Sequence, residues 1–119
     1  MLVDRQQMKQ VMMNLAMNAM DAMSKTGGRL TVTTRRVVGL DKSGWVQIEV
    51  ADTGCGIAPE DLPHVFDPFF TTKHESTEHV GTGLGLSIVH QIIQEHGGTV
   101  EARSTVGKGT SFLITLPEG

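Results

Sequence analysis

Asp52-Thr53-Gly54-Cys55-Gly56-Ile57 marks a break in the chain's pattern. Before it the apolar residues keep a regular period; after it the period vanishes for about thirty residues, and a loop that long in a compact domain is more often functional than not. Immediately upstream, Trp45 to Ala51 puts Val46, Ile48 and Val50 on one face, the alternation of a strand. Arg29 to Val38 alternates Leu30, Val32 and Thr34 with polar neighbours and is rich in β-branched residues, which predicts a half-buried partner strand, with Gly39 to Gly44 as the turn between the two. The hexapeptide therefore falls where a strand runs out. A carboxylate there can accept a hydrogen bond from an exocyclic amine, and a glycine four residues on lets a flat ring approach the backbone; an ordinary Asp-Gly turn is the plain alternative.

Further out, both flanks read as helices. From Asp4 to about Lys25, Met8, Val11, Met12, Leu15, Ala19, Ala22 and Met23 fall in one stripe at about 100° per residue. Asp4 has the chemistry of an N-cap, with Gln7 three residues on, and Gly27-Gly28 stops the helix. Helical spacing returns over 82–95 with Leu84, Ile88, Val89, Ile92 and Ile93 buried, until Gly97-Gly98. Two strands, about 99–104 and 110–116, close the chain around a Gly107-Lys108-Gly109 turn. Helix, strand pair, long loop, helix, strand pair is packed most economically as an α/β two-layer sandwich, helices against one face of a mixed, mostly antiparallel sheet.

Bulk composition narrows the function. A chain of 119 residues makes one domain, 1–119, with a single core. A formal charge of −3 lacks the basic signature of a nucleic-acid binder. No apolar run approaches the roughly 20 residues of a membrane helix, so no direct membrane contact is expected of this chain. Cys55 is the sole cysteine, which excludes an internal disulfide and a cysteine-based metal site and fits a reducing cytoplasm.

Two further features bear on chemistry. Gln7, Asn14, Asn18 and Asp21 share one side of the first helix, beside the apolar stripe. Asn and Asp are poor residues for a helix interior, costing several tenths of a kcal/mol each against Ala. A row of amide and carboxylate oxygens facing a ligand would account for them, since an Asn carbonyl can coordinate Mg²⁺ beside phosphate oxygens; a solvated polar stripe is the alternative. Gly81-Thr82-Gly83-Leu84-Gly85-Leu86 runs into the second helix, where successive backbone N–H groups can cradle phosphate. Gly107-Lys108-Gly109-Thr110 is no phosphate loop of the GxxxxGK type, because Ala102 stands where the first glycine is needed.

Taken in order, Asn14-Leu-Ala-Met-Asn18, Asp52-Thr-Gly-Cys-Gly56, Phe66-Asp-Pro-Phe69-Phe70-Thr-Thr-Lys73 and Gly81-Thr-Gly-Leu-Gly85-Leu resemble the N, G1, F and G2 boxes of the histidine kinase catalytic domain, across nearly the whole chain. The resemblance implies the Bergerat ATP-binding fold of the GHKL superfamily, with ATP and Mg²⁺ bound. It makes Asn18 the Mg²⁺ ligand and sets Asn14 and Asp21 along the phosphates and ribose. Asp52 would take the adenine amine, with Gly54, Gly56 and Ile57 beside the ring. Gly81, Thr82, Gly83, Leu84, Gly85 and Leu86 would form the phosphate-binding lid, Lys73 a counter-charge, and Thr110 would back the adenine through its hydroxyl. Asn14, Asn18 and Lys73 would be the catalytic set.

Hydrolytic members of the superfamily carry a glutamate at the position of Asn14, where it activates water; an amide cannot take that proton, which favours transfer to an acceptor elsewhere. By the resemblance, that acceptor is a histidine on a dimerisation and phosphotransfer domain of the same protein, with a response regulator downstream. A strand and a two-helix dimerisation domain normally precede the first box, so the chain reads as a fragment of a longer kinase. His64, His90 and His96 read as structural or surface residues, and His74 and His79, five apart, sit about 140° from each other on a helix, off the geometry of a zinc protease. An anti-sigma-factor-type serine kinase and a nucleotide sensor without transfer are the competing readings. Met13, Met17 and Met20 lie away from the main stripe, either covering a strand or partner domain or filling a loose core.

Overall fold

The computed structural model describes residues 4–24, 27–39, 43–67 and 85–117. Asp4 caps α1 (Arg5–Ala22): its Oδ1 accepts from the backbone N–H of Gln6 at 2.9 Å and of Gln7 at 3.0 Å, pairing two donors that a helix start leaves open. The Asp4 N–H itself donates to His96 Nε2 at 3.1 Å, and His96 Nδ1 donates to the Ile92 carbonyl at 2.8 Å. His96 follows α2 (Gly85–Glu95), so one imidazole ties the start of the first helix to the end of the second. Gly97 ends α2 at φ 77°, and the Gly98 N–H returns to the Ile93 carbonyl at 2.9 Å, the left-handed stop for which glycine is suited.

The strands are β1 (Leu30–Val38), β2 (Gly44–Asp52), β3 (Thr99–Thr105) and β4 (Gly109–Pro117), in the order β1-β2-β4-β3. Every pair is antiparallel; the parallel component of a mixed sheet is absent among the described strands. Strand alternation puts Val50, Phe112, Ile114 and Leu116 on the helix-facing side, against Val11 and Leu15 of α1 and Val89, Ile92 and Ile93 of α2. Burying each of the larger of these side chains contributes about 1.5–3 kcal/mol. The two helices pack on each other, α1 lies on β2 and β4, and α2 lies on β3.

That placement corrects the expectation of a half-buried β1. All nine of its residues are exposed, including Leu30 and Val32, because β1 pairs only with β2 and α1 is seated farther in. Met13, Met17 and Met20 are 60%, 58% and 64% exposed, so they do not fill the core. The segment after β2 is also less bare than its sequence suggests: Leu62–His64 form a 3-10 turn that drives Val65 into the interior. Phe66 follows, stacked on His90 with ring centroids 5.4 Å apart and edge-on to Phe112 at 6.1 Å, which makes Phe66 and His90 packing residues. Among the described residues no helix is long and apolar enough to cross a membrane.

Candidate functional site

The Asp52–Ile57 loop is gripped from three sides. The Cys55 N–H donates to the Ala22 carbonyl at 3.1 Å, fastening the loop to the last turn of α1. Thr53 Oγ1 accepts from the Arg29 N–H at 2.9 Å and the Thr53 N–H donates back to the Arg29 carbonyl at 3.2 Å, which joins it to the start of β1. The Gly107 N–H donates to the Cys55 carbonyl at 2.8 Å, and the Ile57 N–H to Ser104 Oγ at 2.7 Å, which binds it to the β3–β4 hairpin. The N–H groups of Thr53, Cys55 and Ile57 and the Cys55 carbonyl are thus paired within the protein, which fixes the loop's position.

The glycines here answer to the protein's own packing. A Cβ on Gly54 would lie 2.6 Å from the Ala22 carbonyl oxygen, and one on Gly56, at φ 78°, would collide with the Thr105 carbonyl. Space beside a flat ring would be a second use of the same glycines.

Asp52 closes the row. It is only 7% exposed, and its Oδ1 accepts from the Gly54 N–H at 2.8 Å and the Thr110 N–H at 3.3 Å. Among the described residues nothing donates to its Oδ2. The sheet register aligns Leu30, Asp52, Thr110 and Ser104 across all four strands. Thr110, 4% exposed, places its hydroxyl 2.9 Å from that of Ser104. Asp52, Ser104, Gly109 and Thr110 line one shallow, open pocket. Ser104 was not foreseen from the sequence, although a signal existed: it is a polar residue in phase with the inward-facing Val100 and Ala102.

On α1, Asn14, Asn18 and Asp21 are all half-buried rather than fully solvated. The Asn14 amide Nδ2 donates to the Gly85 carbonyl at 3.2 Å, so the polar face of α1 meets the first residue of α2. No described residue hydrogen-bonds to the Asn18 side chain. Leu86 packs against the core. Lys73, Gly81, Thr82, Gly83 and Leu84 lie outside the described residues, as do Phe69, Phe70, His74 and His79. The structure therefore brings Asp52, Gly54, Gly56, Ile57 and Thr110 into one connected cluster, with the end of α1 attached to it and Asn14 holding the start of α2.

The same architecture and chain order occur in known proteins. Residues 3–119 match the family model of the histidine kinase-, DNA gyrase B- and HSP90-like ATPases. The sensor kinase CckA of Brucella abortus is 45% identical over 96% of this chain and 13% of its own length, and the sensor histidine kinase ZraS of Escherichia coli K12 is 41% identical over 96% and 22%. Among solved structures, the mycobacterial sensor histidine kinase MprB superposes with a TM-score of 0.82 at 29% identity, over 98% of this chain and 75% of that one. The chain belongs to the histidine kinase-, DNA gyrase B- and HSP90-like ATPase family, and within it is an ATP-binding catalytic domain of the sensor histidine kinase kind. It spans less than a quarter of the length of those two kinase relatives.

Proposed function

We propose that this domain holds Mg-ATP between the polar face of α1, the Asp52 loop and the N-terminus of α2, and donates the terminal phosphate to a histidine on a dimerisation domain of the same protein. The observation that carries the reading is Asp52: a carboxylate more than nine-tenths buried, fixed by two backbone N–H groups at one oxygen and open at the other. That is an acceptor set for one donor, such as the exocyclic amine of adenine. The phosphates would then run toward α2, whose positive helix end and the glycine-rich 81–86 segment that runs into it suit anions, with Lys73 as counter-charge.

The donor chemistry fits Mg²⁺. Asn18 offers a hard amide oxygen beside Asn14 and Asp21, and among the described residues no group of three His, Cys, Asp or Glu forms a cage for the protein to hold a metal alone. Asn18 would hold the ion together with phosphate oxygens and water. Bound there, Mg²⁺ would neutralise the charge that develops on the phosphates during transfer.

Position 14 favours transfer over hydrolysis. A glutamate there could activate water, whereas Asn14 presents an amide, whose Nδ2 donates to the Gly85 carbonyl. The nucleophile therefore comes from the partner domain, with a response regulator downstream and the reaction on the cytoplasmic side. Incubation of the domain with terminally labelled ATP, Mg²⁺ and a dimerisation domain bearing its histidine tests this. The expected product is acid-labile, base-stable phosphohistidine on the partner. Acid-stable phosphoserine, or release of inorganic phosphate alone, would contradict the reading.

A further inference from the structure

We infer that Ser104 is a specificity-determining residue for the nucleotide base, acting as a positioning residue through the hydroxyl of Thr110. The inference deepens the nucleotide reading above and rests on it.

A serine hydroxyl has one proton and two lone pairs. Ser104 Oγ lies 2.9 Å from the Gly109 carbonyl oxygen, which can only accept, so the single proton of Ser104 is committed there. One of its lone pairs takes the Ile57 N–H at 2.7 Å. The third contact, to Thr110 Oγ1 at 2.9 Å, must then be donated by Thr110. Ser104 is saturated, and the Thr110 hydroxyl is turned with its proton toward β3 and its own lone pairs open.

Across the β2–β4 register stands Asp52, whose Oδ2 no described residue occupies. The inner end of the sheet thus offers two acceptors on opposed residues, Asp52 Oδ2 and Thr110 Oγ1, while the Thr110 N–H is already taken by Asp52 Oδ1. Adenine presents an amine at C6, a donor to both. Guanine presents a carbonyl, whose oxygen would face a carboxylate and a hydroxyl lone pair. A hydroxyl free to rotate could turn its proton to that carbonyl and accommodate guanine; Ser104 prevents the rotation. Buried acceptors left without a donor penalise the wrong base strongly. The same serine holds the Ile57 N–H, so base selection and loop position are set by one side chain.

Competitive binding of ATP and GTP to the full chain tests the assignment, with folding checked by thermal unfolding. The wild type should prefer ATP. In Ser104→Ala the preference should fall about tenfold, through weaker ATP and equal or stronger GTP binding. Ser104→Thr, which keeps a hydroxyl, should restore it. If Ser104→Ala does not fold, Thr110→Val, which keeps the shape and removes the hydroxyl, should show the same loss of preference. An unchanged preference in Ser104→Ala or in Thr110→Val, or equal weakening of both nucleotides, overturns the inference while leaving the ATP reading standing. A wild type that binds neither nucleotide removes both.

Discussion

The side-chain amide of Asn14, in the middle of α1, donates to the carbonyl of Gly85, the first residue of α2, at 3.2 Å. The contact spans 71 positions of sequence and joins two segments that carry the proposed metal and phosphate chemistry. Its polarity is fixed, because a carbonyl can only accept. Asn14→Asp, nearly identical in shape, puts an acceptor against an acceptor. The start of α2 should open more often, with hydrogen exchange of the Val89 amide, whose partner in the helical ladder is the Gly85 carbonyl, faster by about tenfold, the equivalent of roughly 1.4 kcal/mol. Unchanged protection there would show that the contact does not hold the helix start.

Gly54 and Gly85 should answer oppositely to the same substitution. A methyl at Gly54 meets the Ala22 backbone at 2.6–2.7 Å, whereas one at Gly85 meets nothing within 4 Å. Gly54→Ala should therefore destabilise the domain by about 1–3 kcal/mol in urea unfolding. Gly85→Ala should be neutral or stabilising, by up to about 1 kcal/mol from helix propensity. Equal effects would mean that the α1–loop junction is not closely packed.

Acid sensitivity should have a component on the open face of the sheet. The Ser111 hydroxyl, donating to Glu49 at 2.7 Å, and next the Arg35 guanidinium at 3.0 Å hold the Glu49 carboxyl below its ordinary value of 4.5. A carboxyl whose folded value is depressed binds its proton more readily when unfolded. Its stabilisation is complete above the ordinary value and is lost as pH falls through the lowered folded value. Ser111→Ala should accordingly reduce stability near pH 7 and flatten the loss between pH 7 and acid, read from urea midpoints across that range. A variant with the wild-type acid slope would place the sensitivity elsewhere.

Much of this arrangement could be read from residue order, and the exceptions have physical causes. Asp4 as cap, Gly97 as helix stop and the β3–β4 hairpin are local features, set by neighbours in sequence. The burial of β1 depends on what lies over it, which alternation of Leu30, Val32 and Thr34 cannot reveal. Val65 is a single buried residue in a segment without period, so no pattern announced it. The candidate site divides in the same way. Asn14 and Asn18 stand out because their type is unusual in a helix interior, and Asp52 because it opens a glycine-spaced run where the strand's period ends. Ser104 becomes important only when β3 is set in register beside Thr110, a relationship between strands rather than within one. His96 is similar: its partner Asp4 is 92 positions away.

The central claim is that Asp52 and Asn18 serve one bound nucleotide, the first through the base and the second through Mg²⁺. Calorimetric titration with ATP, with and without Mg²⁺, on the wild type, Asp52→Asn and Asn18→Ala tests it most directly. Asp52→Asn should lose affinity by at least about tenfold whether or not Mg²⁺ is present, and Asn18→Ala should lose mainly the Mg²⁺-dependent part. Wild-type titration curves from both variants would contradict the account.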